Sequence, residues 1–169
     1  VSRPGRTLAS GPFVGVLEAM RRRAERASAR VVSVRSVAAS AEVARELGLE
    51  PRSLVGALTV VRHRNELPFA IGSTWGRVGL IKKLAREDLS QHDLMAVLES
   101  ALGIRVGRTR VIVGAIAASQ QLARRLELAP GAPVLRIRTT SIDHDGEPLL
   151  CSTTDCRADV MDYRVSLRG

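Results

Sequence analysis

Arg62 and Arg64, in the stretch VGALTVVRHR, are two guanidinium groups spaced to work together. Alternate residues of an extended strand share a face. Val60, Arg62 and Arg64 therefore point one way, and Val61 and His63 the other. Two guanidiniums on one face can fork around a carboxylate or a phosphate, because their planar donors match those anions bidentately. The same spacing equally suits two solvated arginines on an open sheet face. In LLCSTTDCRA the same parity groups Leu150, Ser152, Thr154 and Cys156, and FAIGSTW offers Ser73 and Thr74. These hydroxyls can hydrogen-bond a ligand, or can be ordinary strand residues chosen for their β preference.

Other chemistry is sparse. There is no nucleophile with a base at useful spacing and no pair of carboxylates on one strand, so no catalytic residues are expected. Asp143, Asp145 and Glu147 fall in DHDGEP, where turn formation accounts for them. Three histidines (His63, His92, His144) and two cysteines form no ligand cluster, and neither a metal nor a cofactor is expected. Cys151 and Cys156 are separated by an odd number of positions in one strand, so they should face opposite ways and remain thiols, as in a reducing cytoplasm. The net charge of +9 raises the question of nucleic acid. The basic residues are nearly all arginine and are scattered apart from RRRAER at Arg21 to Arg26, which reads as the solvated face of a helix. Phe13, Phe69, Trp75 and Tyr163 are too dispersed to form stacking platforms.

The elements that must position these residues come in two related sets. VAASAEVARELGLEP, Val37 to Pro51, recurs as IAASQQLARRLELAP, Ile116 to Pro130, with eight of fifteen positions identical. Ser40 and Ser119 are N-cap residues for a short helix in each copy. Ala39, Val43 and Leu47 share an apolar face in the first, Leu122 and Leu126 in the second. Each helix is preceded by a strand and followed by a proline-marked turn, a long strand, a polar turn and another strand. The second polar turn carries Asp-Gly, a strong hairpin signal. GLIKKLAREDLSQHDLMAVLESALGI, between the copies, reads as a turn region and then a helix from about Gln91 to Ala101, with Gly103 as its left-handed C-cap. Residues 1–12 read as a linker or poorly ordered start, Phe13 to about Ala29 as a helix, and 13–169 as one domain. The expected fold is α+β, a mostly antiparallel sheet from two related halves with helices packed on one side.

In order, ASAEVARELGLEPRSLVGALTVVRHRNELPF, DLMAVLESALGI and TRVIVGAIAASQQLARRLELAPGAPVLRIRTTSIDHDGEPLLCSTTDCRADV resemble the UTRA domain, the effector-binding domain of GntR-type transcription regulators of the HutC subfamily. The resemblance spans roughly Val31 to Val165. It implies a chorismate-lyase-like fold and a small-molecule sensor that forms homodimers in the cytoplasm, with no membrane partner. It also implies that operator DNA is read only by a winged helix-turn-helix preceding this domain and absent from this stretch. The implied effector is a small anionic metabolite held by arginines on the strand of Arg62 and Arg64. Members that sense phosphosugars carry a serine or threonine opening the central helix; the matching position here is Asp93, whose charge disfavours a phosphate. Leu150 and Cys156 stand where those members carry Glu and Tyr, while STTDCRADV is nearer the phosphonate-utilisation branch. The rival readings are a lyase-like enzyme acting on a small carboxylate, since one fold hosts several functions, and a dimerisation module without ligand.

Overall fold

The computed structural model describes residues 27–90 and 92–161. The expected linker and the helix from Phe13 lie outside that range, apart from that helix's last residues, which begin a strand. Six strands, β1 (Ala27–Ala38), β2 (Leu54–Arg64), β3 (Leu67–Gly76), β4 (Val106–Ala117), β5 (Pro133–Asp143) and β6 (Pro148–Arg157), form one antiparallel sheet in the order β1-β2-β3-β6-β5-β4. Four short helices join them: α1 (Ala41–Glu46), α2 (Val78–Leu84), α3 (Leu94–Ser100) and α4 (Gln120–Leu126).

The duplication is the plan of the sheet. β1, α1 and β2 recur as β4, α4 and β5 at a constant offset of seventy-nine residues. β3 and β6 align with Pro68 on Pro148 and meet at the centre of the sheet, where Ser73 is opposite Thr153. A pseudo-twofold through that pair relates the halves. Both serine caps form as expected: the Ser40 and Ser119 hydroxyls accept from the amides of Val43 and Leu122, each at 3.2 Å. Gly48 turns the chain after α1 at φ +64°, and its counterpart Glu127 takes the same left-handed conformation at φ +53°.

The helices occupy both faces, which corrects the expectation of a single covered side. On the front face, Ile81 and Leu84 of α2 and Val97 and Leu98 of α3 pack with Leu89 against Leu58, Val60 and Leu150. Full burial of a leucine such as Leu84 or Leu98 contributes about 1.5–3 kcal/mol. On the back face, α1 packs on Val55, Trp75 and Cys151, and α4 on Val61, Ile71 and Val134. The adjacent residues Leu150 and Cys151 serve opposite faces, as strand alternation requires. The reason for two-sided cover lies in α2, a helix in the stretch read as a turn region. Its N-cap, Arg77, makes no side-chain cap hydrogen bond, so the segment carries no start signal, and at seven residues its apolar period is brief. The second helix of that stretch begins at Leu94; Gln91 is outside the described residues.

Candidate functional site

Between two apolar clusters on the front face lies a polar strip. One cluster is that of Leu58, Val60 and the α2–α3 pair; the other joins Phe69, Ala70, Ile137, Cys156 and Met161. Cross-strand register sets Leu58, Thr74, Ser152, Thr139 and Val111 in one row and Val60, Gly72, Thr154 and Ile137 in the next. Thr74, 2% exposed, shares a 2.9 Å hydrogen bond with Ser152.

Arg62 is the charged member of this strip and is only 6% exposed. It is therefore not a solvated arginine on an open face. Its guanidinium lies over Gly72: a Cβ added there would stand 3.1 Å from Arg62 Nη1 and 3.4 Å from Thr154 Oγ1. The glycine in the middle of β3 is thus a site of close approach, a signal that AIGSTW already carried in the sequence. Arg62 Nη2 is 3.8 Å from Asp93 Oδ1, an ionic contact too long for a hydrogen bond. Arg62 Nε is buried without a hydrogen-bond partner. Burial pulls the guanidinium's pKa below its ordinary value, and the Asp93 charge opposes that shift. In the other half the position equivalent to Arg62 is Ser141, whose hydroxyl meets Met95 Sδ at 3.1 Å.

The expected site residues therefore divide. Arg62, Thr74, Asp93, Ser152 and Thr154 come together on the front face. Arg64 is half-buried at the hairpin end, opposite Leu67 and Ala27. Ser73 alternates with Thr74 and so faces the back, beside Thr153. Asp93 does stand at the N-cap of α3, but its side chain makes no cap hydrogen bond and turns to Arg62 instead. Cys151 and Cys156 are free and buried on opposite faces, as parity required, and burial pushes both thiols up to about 12. Among the described residues there is no cluster of His, Cys, Asp and Glu placed to hold a metal, and no helix long and apolar enough to cross a membrane.

The front face thus sets a buried cation in a polar strip of a six-stranded antiparallel sheet. Residues 22–162 match the family model of the UTRA domain, and the chain belongs to that family. No curated protein matches the sequence. Among solved structures, the ligand-binding domain of a protein described as a GntR-family transcriptional regulator from Bordetella bronchiseptica is 29% identical. The match covers 85% of this chain and 90% of that one, with a TM-score of 0.75. PhnF from Mycobacterium smegmatis has a TM-score of 0.82 at 18% identity over 93% of this chain and 69% of that one. A GntR-family regulator from Enterococcus faecalis scores 0.72 at 22% identity, over 82% of this chain and 99% of that one. The last two are likenesses of fold.

Proposed function

We propose that this domain senses a small anionic metabolite at the front-face strip and transmits its binding to a GntR-type, HutC-subfamily DNA-binding domain on the same polypeptide. The carrying observation is Arg62, a buried cation with an unmet Nε and only a long contact to Asp93. A buried guanidinium costs several kcal/mol unless its donors are met, and a carboxylate, phosphate or phosphonate oxygen meets them. Such an anion competes with Asp93, so α3, which Asp93 begins, is the element that responds. Homodimerisation and repression in the cytoplasm belong to the same reading. The outer strands β1 and β4 support a dimer through exposed Val31, Val32, Val34, Ile112 and Val113, and the free thiols support a reducing compartment.

The test is thermal-shift screening of the chain with phosphonates, sugar phosphates, dicarboxylates and amino-acid catabolites, followed by calorimetry. A ligand that binds only the folded state raises the midpoint. At least one anion should stabilise the wild type and lose its effect in Arg62→Ala. If every stabilising anion acts equally on both proteins, the strip is not the sensor.

A further inference from the structure

A cleft opens on the other face. It encloses about 110 Å³ and is partly open to solvent. Helix α1 forms one wall with Glu42 and Glu46; β4 and β5 form the other with Arg110 and Arg138; Trp75 lies on the floor with Cys151. The walls are joined by cross pairs. Arg138 Nη1 donates to Glu42 Oε1 at 2.9 Å, Thr140 Oγ1 donates to Glu46 Oε2 at 2.6 Å, and Arg110 also donates to Glu46.

Packing does not require this cleft, because the other half of the molecule closes the same junction. Under the pseudo-twofold, α1 over β5 and β6 corresponds to α4 over β2 and β3. There Val61 and Ile71 replace Thr140 and Cys151, and they join Ala118, Ala123, Leu126 and Val134 in an apolar cluster. The counterparts of Glu42, Glu46, Arg110 and Arg138 are Gln121, Arg125, Val31 and Thr59. One scaffold thus carries a dry junction and a polar, open one. The open one has two carboxylates on one wall and two guanidiniums on the other, which sum to zero charge, beside an indole.

We infer that this back-face cleft is a second small-molecule site, and that it takes a net-neutral zwitterion of amino-acid type. The ammonium meets the helix wall, the carboxylate meets the strand wall, and the apolar side chain lies against Trp75 and Ile112. A net ion of either sign has no advantage in a lining of zero charge, whereas a zwitterion exchanges for both cross pairs at once. Exchange is cheap at the rim, where the side chains of Arg138 and Glu42 are 46% and 56% exposed and such pairs contribute little.

Trp75 is the only tryptophan of the chain, so its fluorescence reports this cleft. The experiment titrates the chain with each free proteinogenic amino acid other than tryptophan and tyrosine, with the corresponding N-acetyl amides, and with glucose. Several free amino acids should change the emission saturably, and their blocked forms should not. Glu46→Gln and Arg138→Leu should each weaken the response about tenfold or more, the loss of one charge-assisted hydrogen bond. Thr140→Val with Cys151→Ile, which copies the closed half, should keep the melting midpoint and abolish the response. Arg62→Ala, on the opposite face, should retain it. The inference is overturned if no free amino acid titrates Trp75, if blocked forms or glucose titrate it equally, or if the filled variant still responds. Loss of the response in Arg62→Ala also overturns it, by moving the signal to the front face.

Discussion

Asp93→Asn isolates the electrostatics of the front-face strip. Asparagine caps a helix as well as aspartate, and the substitution removes the carboxylate charge that faces Arg62. At 3.8 Å and an effective dielectric of about 20, the Arg62–Asp93 attraction is about 4 kcal/mol before solvent recovers part of it. Breaking a buried pair from one side typically costs about 3–5 kcal/mol. The long contact argues for the low end, so a loss of about 3 kcal/mol is expected. For a chain of this size that lowers the melting midpoint by about 6–12 °C. Combining Arg62→Met with Asp93→Asn removes both charges and keeps the stem, and the double variant should cost under about 1 kcal/mol relative to wild type, because apolar replacement of a whole buried pair is often neutral. Urea unfolding followed by Trp75 emission measures both, with the midpoint moving at constant slope. The variants should also diverge with inorganic phosphate: Asp93→Asn, its arginine released, should regain midpoint as phosphate is added, and the double variant should not. If Asp93→Asn melts with the wild type, or the double variant is less stable than Asp93→Asn, the arginine is not held as described.

Three further outcomes follow from the geometry. Cys156, fully buried with its thiol pushed up to about 12, should resist a thiol-reactive disulfide reagent in the native chain at neutral pH and react once urea unfolds it. The Glu46 carboxyl is held below its ordinary value of 4.5, chiefly by the Thr140 hydroxyl and then by Arg110, against an opposing effect of burial. A depressed carboxyl contributes stability that is present above its unfolded pKa and lost as pH falls through the folded one. Wild-type stability should therefore fall more steeply than that of Glu46→Gln as pH drops below about 4.5 in urea titrations at stepped pH. Gly76→Ala would set a Cβ 2.5 Å from Leu150 Cδ2 and 2.9 Å from the Leu149 carbonyl oxygen. The backbone cannot yield as a side-chain tip can, so a loss of about 1–3 kcal/mol is expected from the urea midpoint.

What was legible in the sequence was whatever short-range chemistry encodes. The serine caps, the strands, the Asp145-Gly146 turn and the opposed cysteines depend on neighbours within a few residues, the repeat is visible by comparing the chain with itself, and all stand in the structure. Alternation correctly grouped Ser152 with Thr154, and the same rule applied to β3 separates Ser73 from Thr74. Helix α2 was missed because its start has no polar cap and its burial comes from Leu58 and Val60, about twenty residues upstream in β2.

By itself, then, the sequence determined that the sheet is built twice, because a repeat needs no partner to be read. Only the tertiary structure decided how the two copies differ. Burial of Arg62 arises because α3 lays Asp93 against it and Gly72 leaves its backbone bare. The back-face cleft draws on α1 and four strands that meet only once the sheet closes. In one copy the helix lands on Val61 and Ile71 and seals; in the other it lands on Thr140 and Cys151 and stays open. No local pattern carries that difference, since α1 and α4 each cross to strands of the opposite half.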